Sequence, residues 1–185
     1  MKEPDDIELY NRVANKADDA EEAFNMLYDR LSPHIYRYCR YALGNEALTK
    51  DVFQEVFLRF YQSIEPDRKM TNVKGFVIRI ARNACLSART SKHYGLSPLP
   101  DEIPTVDPGK SYEQQELLVA FRGAVECLPM QYREPLVLRE YDGLSYQEIA
   151  ELLELSLGTV KIRIYRAKQM IRDQISPALA ELIEE

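Results

Sequence analysis

The reading of LSYQEIAELLELSLGTVKIRIYRAKQMIR, residues 144–172, decides the fold. Within it, Val160, Ile162 and Ile164 alternate with Lys161, Arg163 and Tyr165, the pattern of a half-buried strand. The alternation ends at Arg166-Ala167-Lys168, and no pairing partner lies nearby. On a helix, at about 100° per residue, Val160, Ile164, Ala167 and Ile171 gather within a sector of about 60°. The opposite side holds Ile162, Tyr165, Arg166 and Gln169, with Lys161 and Arg163 on the flanks. Only the helical phase extends through Ile171, so a helix is expected.

The residues before it supply a partner helix. Ser145 and Glu148 have capping-box spacing, in which the serine hydroxyl satisfies a free amide and the glutamate reaches back. Ile149, Ala150, Leu152 and Leu153 give the short helix a buried side, Glu154-Leu155 breaks it, and Ser156 can cap the next. A short capped helix, a tight turn and a longer basic helix predict a helix-turn-helix over about residues 145–168. Ile162 then has two readings: packing against the domain or another subunit, the ordinary fate of an apolar residue, or facing the major groove among its cationic neighbours. Arginine can pair bidentately with guanine there, isoleucine can meet only a thymine methyl or exclude water, and Gly158 lets the backbone come close to phosphate.

Working outward, the chain divides. Residues 94–113 hold four of the ten prolines, two glycines and few large apolar groups, a composition that favours a semi-extended spacer. The expected order is an acidic segment at 1–19, a first helical domain at 20–93, a linker at 94–114, a second helical domain at 115–175 and a tail at 176–185. The fold class is all-α. In the first domain, Ala23, Phe24, Leu27, Tyr28 and Leu31 form a stripe expected to stop at Ser32-Pro33, where proline suits the first position of a new helix. That second helix, with Ile35, Tyr36, Cys39, Ala42 and Leu43 inward, runs to Gly44. A third carries Val52, Phe53, Val56, Phe57 and Phe60 and closes at Pro66. A fourth, Asn72 to Lys92, has Phe76, Val77, Ile80, Ala84 and Ala88 on one side and Lys74, Arg82, Asn83 and Arg89 largely away from it. The second domain adds helices near 113–128 and 131–141.

The net charge of −6 hides its distribution. Residues 1–30 carry 4 basic and 9 acidic groups, whereas 68–92 carry 7 basic and none acidic, and 161–172 carry 5 basic and none acidic. An acidic chain with two acid-free basic stretches is suited to touch a polyanion at two places and avoid it elsewhere. Cys39, Cys85 and Cys127 are far apart and never form a C-x-x-C pair, so they read as small buried hydrophobes rather than a disulfide framework or zinc site. His34 and His93 are isolated. No metal, cofactor or enzymatic constellation is expected. The acidic start lacks a secretion signal's apolar core and no apolar run approaches the roughly 20 residues of a membrane span, so a cytoplasmic chain without membrane insertion is expected.

DVFQEVFLRFY (51–61), FVIRIARN (76–83) and LPMQYREPLVLREYDGLSYQEIAELLELSLGTVKIRIYRAK (128–168) together resemble the extracytoplasmic-function (ECF) group of bacterial RNA polymerase sigma factors. The last segment also resembles response-regulator output domains; the first two make the likeness specific. The resemblance implies region 2 and region 4 domains that bind core RNA polymerase and direct it to promoter DNA, with an anti-sigma factor as a further partner. It implies that Asp51, Gln54 and Glu55 face the clamp helices of the largest polymerase subunit. The helix of FVIRIARN would meet the minus-10 element, with Arg79, Arg82 and Asn83 at the DNA and Lys74 and Arg89 on phosphates. The loop Glu65–Asn72 would capture an unstacked base. Lys161, Ile162, Tyr165 and Arg166 would face the minus-35 groove, with Arg163 and Lys168 near the backbone, and the acidic linker would run towards the RNA exit path. Phe76 stands where tryptophan is common, Ser87 where aspartate is common, and Ile162 where a small polar residue is common.

A helix-turn-helix regulator that binds duplex alone is the first rival reading. An enzyme using scattered carboxylates and a pure interaction module are the others; the latter leaves both basic helices without a role.

Overall fold

The computed structural model describes residues 3–66, 68–90 and 112–183, with side chains described in the last segment for 117–175. Among the described residues there are eight helices and no strand: α1 (Asp6–Ala14), α2 (Ala20–Leu43), α3 (Glu46–Gln62), α4 (Val73–Thr90), α5 (Tyr112–Cys127), α6 (Met130–Glu140), α7 (Tyr146–Leu153) and α8 (Leu157–Ile183). They form two units, Met1–Leu99 and Pro100–Glu185. The expected linker lies outside the described residues as far as 111, and Tyr112 already belongs to α5.

In the first unit α2 packs on α1, α3 and α4, and α3 packs on α4. The segment 1–19, expected as an acidic lead-in, contains α1. Asp5 caps it by accepting from the Glu8 N–H at 2.8 Å, Leu9 and Tyr10 are fully buried, and Arg30 of α2 donates to the Pro4 carbonyl at 2.7 Å and to Asp6 at 3.2 Å. Of the large apolar groups in its nine residues, Ile7, Leu9, Tyr10 and Val13, only Leu9 and Tyr10 are fully buried, and so short an apolar stripe is outweighed in the sequence by the acids around it.

The break expected at Ser32-Pro33 does not occur: α2 runs through Pro33. An internal proline costs about 3 kcal/mol. Against this, Leu27, Leu31, Ile35 and Cys39 form one buried stripe across the site, at about 1.5–3 kcal/mol for each large aliphatic side chain. The Asp29 carbonyl, which has no N–H from residue 33 to accept, lies 3.5 Å from the Ser32 hydroxyl. The helix ends where expected, at Gly44 with φ 66°.

Asn45 caps α3 by accepting from the Leu48 N–H at 2.9 Å. The helix closes at Gln62 rather than at Pro66, with the Ser63 hydroxyl on the Phe60 carbonyl at 2.7 Å. Asn72 caps α4 by accepting from the Gly75 N–H at 2.7 Å. A Cβ on Gly75 would lie 2.9 Å from Asn72 Nδ2, so a side chain there would make the capping amide shift. The buried face of α4 is rotated from the expected one: Val77 and Ala84 are joined by Ile78, Ala81 and Cys85, while Phe76, Ile80 and Ala88 are half-buried.

In the second unit α8 packs against α5, α6 and α7. Arg133 donates to the Leu128 and Glu126 carbonyls and so closes the end of α5. Cys39 and Cys85 are buried as expected, but Cys127 is exposed at that helix end. The expected tail is not separate up to Ile183, because α8 continues through Ser176-Pro177.

Candidate nucleic-acid interface

The helix-turn-helix is built by its caps. Arg139 of α6 donates to the Leu144 carbonyl at 2.9 Å and lies 4.7 Å from the centre of the Tyr146 ring, bracing the turn that delivers Ser145. The capping box is complete: the Glu148 N–H donates to the Ser145 hydroxyl at 3.2 Å, and the Ser145 N–H donates to the Glu148 carboxylate at 2.7 Å. α7 ends on Glu154 in the left-handed region, φ 56°, and the Leu155 N–H closes on the Ala150 carbonyl at 2.9 Å. Ser156 then caps α8, accepting from the Thr159 N–H at 3.1 Å. A Cβ on Gly158 would meet only the Ser156 hydroxyl, at 3.9 Å.

This geometry fixes the rotation of α8. Val160, Ile164, Ala167 and Ile171 are buried, as the phasing required, while Ile162 is 55% and Tyr165 62% exposed. Lys161 and Arg166 are exposed and Arg163 half-buried. Gln169 donates to the Tyr165 hydroxyl at 2.9 Å, holding the ring along the helix. Lys168 differs from the rest, since its ammonium is 2.7 Å from the Glu140 carboxylate on α6. Such an exposed pair is worth about 0–1 kcal/mol, so exchanging it for a phosphate costs little.

On α4, Arg79, Asn83 and Arg89 are exposed and Arg82 is half-buried. Lys74 lies about 140° of helical phase from Arg79, on the side of Ile78 and Ala81, and is half-buried; the expectation that it lies away from the buried face is corrected. Before α4, the loop is held from both ends: the Glu65 N–H donates to the Tyr10 hydroxyl at 3.2 Å, and Arg68 pairs with Glu65 at 3.2 Å and lies over the Phe76 ring at 4.8 Å. Sequence reading missed Arg68, because its contact with Phe76 requires the loop to fold back on α4.

On α3, Asp51, Gln54 and Glu55 share one exposed edge. Arg59 pairs with Glu55 at 2.6 Å, and Lys50, by its hydrogen bond and its charge, holds the Glu46 carboxyl below the usual range. Leu58 and Tyr61, each 58% exposed, extend this edge. Leu58 is seven residues from Asp51, hence on the same face, a signal the sequence did contain. In the second unit, an apolar-walled groove of about 420 Å³ is lined by Phe121, Leu136, Tyr141, Ile171 and Ile175, with Glu140, Lys168 and Arg172 at its polar side.

The family profile described as Sigma-70 region 2 matches residues 27–93, and that described as Sigma-70, region 4 matches residues 118–171. The ECF RNA polymerase sigma factor SigE of Mycolicibacterium smegmatis is 29% identical over 185 residues, 97% of this chain and 71% of that protein. The ECF RNA polymerase sigma-E factor of Haemophilus influenzae is 30% identical over 177 residues, 86% of this chain and 90% of that protein. Among solved structures, the sigma factor RpoE of Bartonella quintana, in complex with the anti-sigma factor NepR, aligns with a TM-score of 0.67 at 18% identity, covering 83% of this chain and 96% of that one; at that identity the likeness is one of fold.

Proposed function

Because the chain belongs to the ECF group of the sigma-70 family of RNA polymerase sigma factors, we propose that it is a cytoplasmic, non-catalytic initiation subunit that carries core RNA polymerase to a set of promoters and helps to open them. The observation that carries this reading is a pair of exposed basic faces, one in each unit of an otherwise acidic chain. α8 presents Lys161, Ile162, Tyr165 and Arg166 to the minus-35 major groove. Arg163 and Lys168 lie near phosphates. α4 presents Arg79 and Asn83, with Arg82 and Arg89 beside them, to the minus-10 element; Lys74 serves its phosphate side only through the end of a half-buried chain.

Each face alone binds weakly, and each neutralised phosphate adds about 0.9 to the salt slope. Core polymerase, docked on the edge of Asp51, Gln54, Glu55 and Leu58, holds the two faces at one separation, so their affinities combine. Opening follows from selective binding: unstacking costs a few kcal/mol, and contacts made only to the open strand offset it without ATP. An anti-sigma factor is the further partner, as NepR is of the Bartonella sigma factor, and it would act by covering the polymerase-binding surfaces.

The stand-alone regulator is the rival to test. Anisotropy of a labelled promoter duplex should change little with the protein alone at micromolar concentration and strongly when core polymerase is added. Tight sequence-specific binding without polymerase would overturn the proposal.

A further inference from the structure

We propose that Leu86, at the centre of the exposed face of α4, is a specificity-determining residue that takes a thymine 5-methyl group in the major groove of the minus-10 element. This role deepens the initiation reading and rests on it. Among the large apolar side chains of α4, Leu86 is 44% exposed, whereas Phe76 and Ile80 are half-buried and Val77 and Ile78 fully buried. It lies about 180° of helical phase from Val77, so no small adjustment of packing carries it into the core. Arg79, Asn83 and Thr90, all exposed, lie within about 60° of it, and Arg82 and Arg89 stand together on one flank.

Residues 68–92 hold seven basic groups and no acid, so the face has the electrostatics of a polyanion site, while the side chain at its centre has no donor or acceptor. On duplex DNA such a group meets a thymine methyl or excludes water. Thr90 strengthens this character: its hydroxyl donates into the helix, 3.1 Å from the Leu86 carbonyl and 3.0 Å from that of Ser87, and so adds a methyl rather than a competing polar group beside Leu86. Asn83 stands three residues before Leu86, about 4.5 Å along the axis, close to the base-pair spacing of about 3.4 Å. Asparagine pairs bidentately with adenine, so the two side chains address neighbouring steps. Ile162 has the same setting on α8, a 55% exposed aliphatic group among cations. The plainer view is a surface leucine kept for its helix propensity, since single exposed apolar side chains are ordinary; it predicts no dependence on a methyl group of the DNA.

The test titrates holoenzyme, assembled with core polymerase, with a labelled promoter duplex from a mapped start, each thymine of the minus-10 element on either strand being replaced in turn by uracil. Native holoenzyme should lose about fourfold in affinity at one thymine, the scale of one methyl group removed from water. Leu86→Ala and Leu86→Gln should be indifferent to uracil at that position while keeping the native response at every other, the native salt slope and the native thermal unfolding. Uracil sensitivity unchanged in both variants, or no uracil-sensitive thymine in the native complex, would overturn the role of Leu86 while leaving the initiation reading intact. Weaker association of Leu86→Gln with core polymerase at native uracil sensitivity would make Leu86 a protein contact and overturn it likewise. Failure of native holoenzyme to form any promoter complex would remove the initiation reading, and the role of Leu86 with it.

Discussion

Ile162→Ser separates a groove-reading side chain from a core one. Ile162 is 55% exposed, so only part of the roughly 1.5–3 kcal/mol for full burial is at stake, and serine and isoleucine have similar helix propensities. The expected loss of stability is at most about 1 kcal/mol, a fall in Tm of about 4–8 °C for a unit of this size. Ile164, two residues further on and 2% exposed on the opposite face of the helix, is the internal reference: Ile164→Ala should cost about 2–5 kcal/mol. If Ile162 meets a thymine methyl, replacing that thymine by uracil should weaken native holoenzyme by roughly a few-fold, the scale of one buried methyl group. Ile162→Ser holoenzyme should be indifferent to the replacement. Anisotropy with thymine and uracil promoters, beside thermal unfolding of both variants, gives the complete cycle. Ile162→Ser as destabilising as Ile164→Ala, or unchanged uracil sensitivity in Ile162→Ser, would refute the reasoning.

Gly158→Ala has room in the fold, its new Cβ meeting only the Ser156 hydroxyl at 3.9 Å, and should leave Tm unchanged or raise it slightly; if the α8 amides approach phosphate, promoter affinity of the holoenzyme should nevertheless fall severalfold. Glu154→Gly relieves a non-glycine residue at φ 56° and should stabilise the second unit by about 1 kcal/mol in chemical denaturation, with minus-35 binding retained. Leu58→Asp, at a site 58% exposed, should leave unfolding within about 0.5 kcal/mol of native and weaken association with core polymerase in a titration by tenfold or more.

The helix-turn-helix was legible because its determinants are local: a serine–glutamate box three residues apart, a break, and a helical phase that separates Val160 and Ile164 from Ile162. Features set by distant partners were not. Pro33 reads as a helix start until the buried stripe from Leu27 to Cys39 outweighs it. The inner face of α4 was read one step off because Phe76 drew the phase towards itself, although it is half-buried above Phe60. Lys168 carries no mark of its pairing with Glu140, 28 residues away, and Arg68 none of its seat on Phe76. Tyr10 and Glu65, 55 residues apart in the chain, meet only because α1 packs into the first unit.

The most direct measurement is run-off transcription with purified core polymerase on genomic fragments, with start sites mapped. Adding the protein should produce new starts that share upstream elements, and these should weaken when the α8 face is altered at Arg166 or the α4 face at Arg79. No new start in its presence would contradict the central claim.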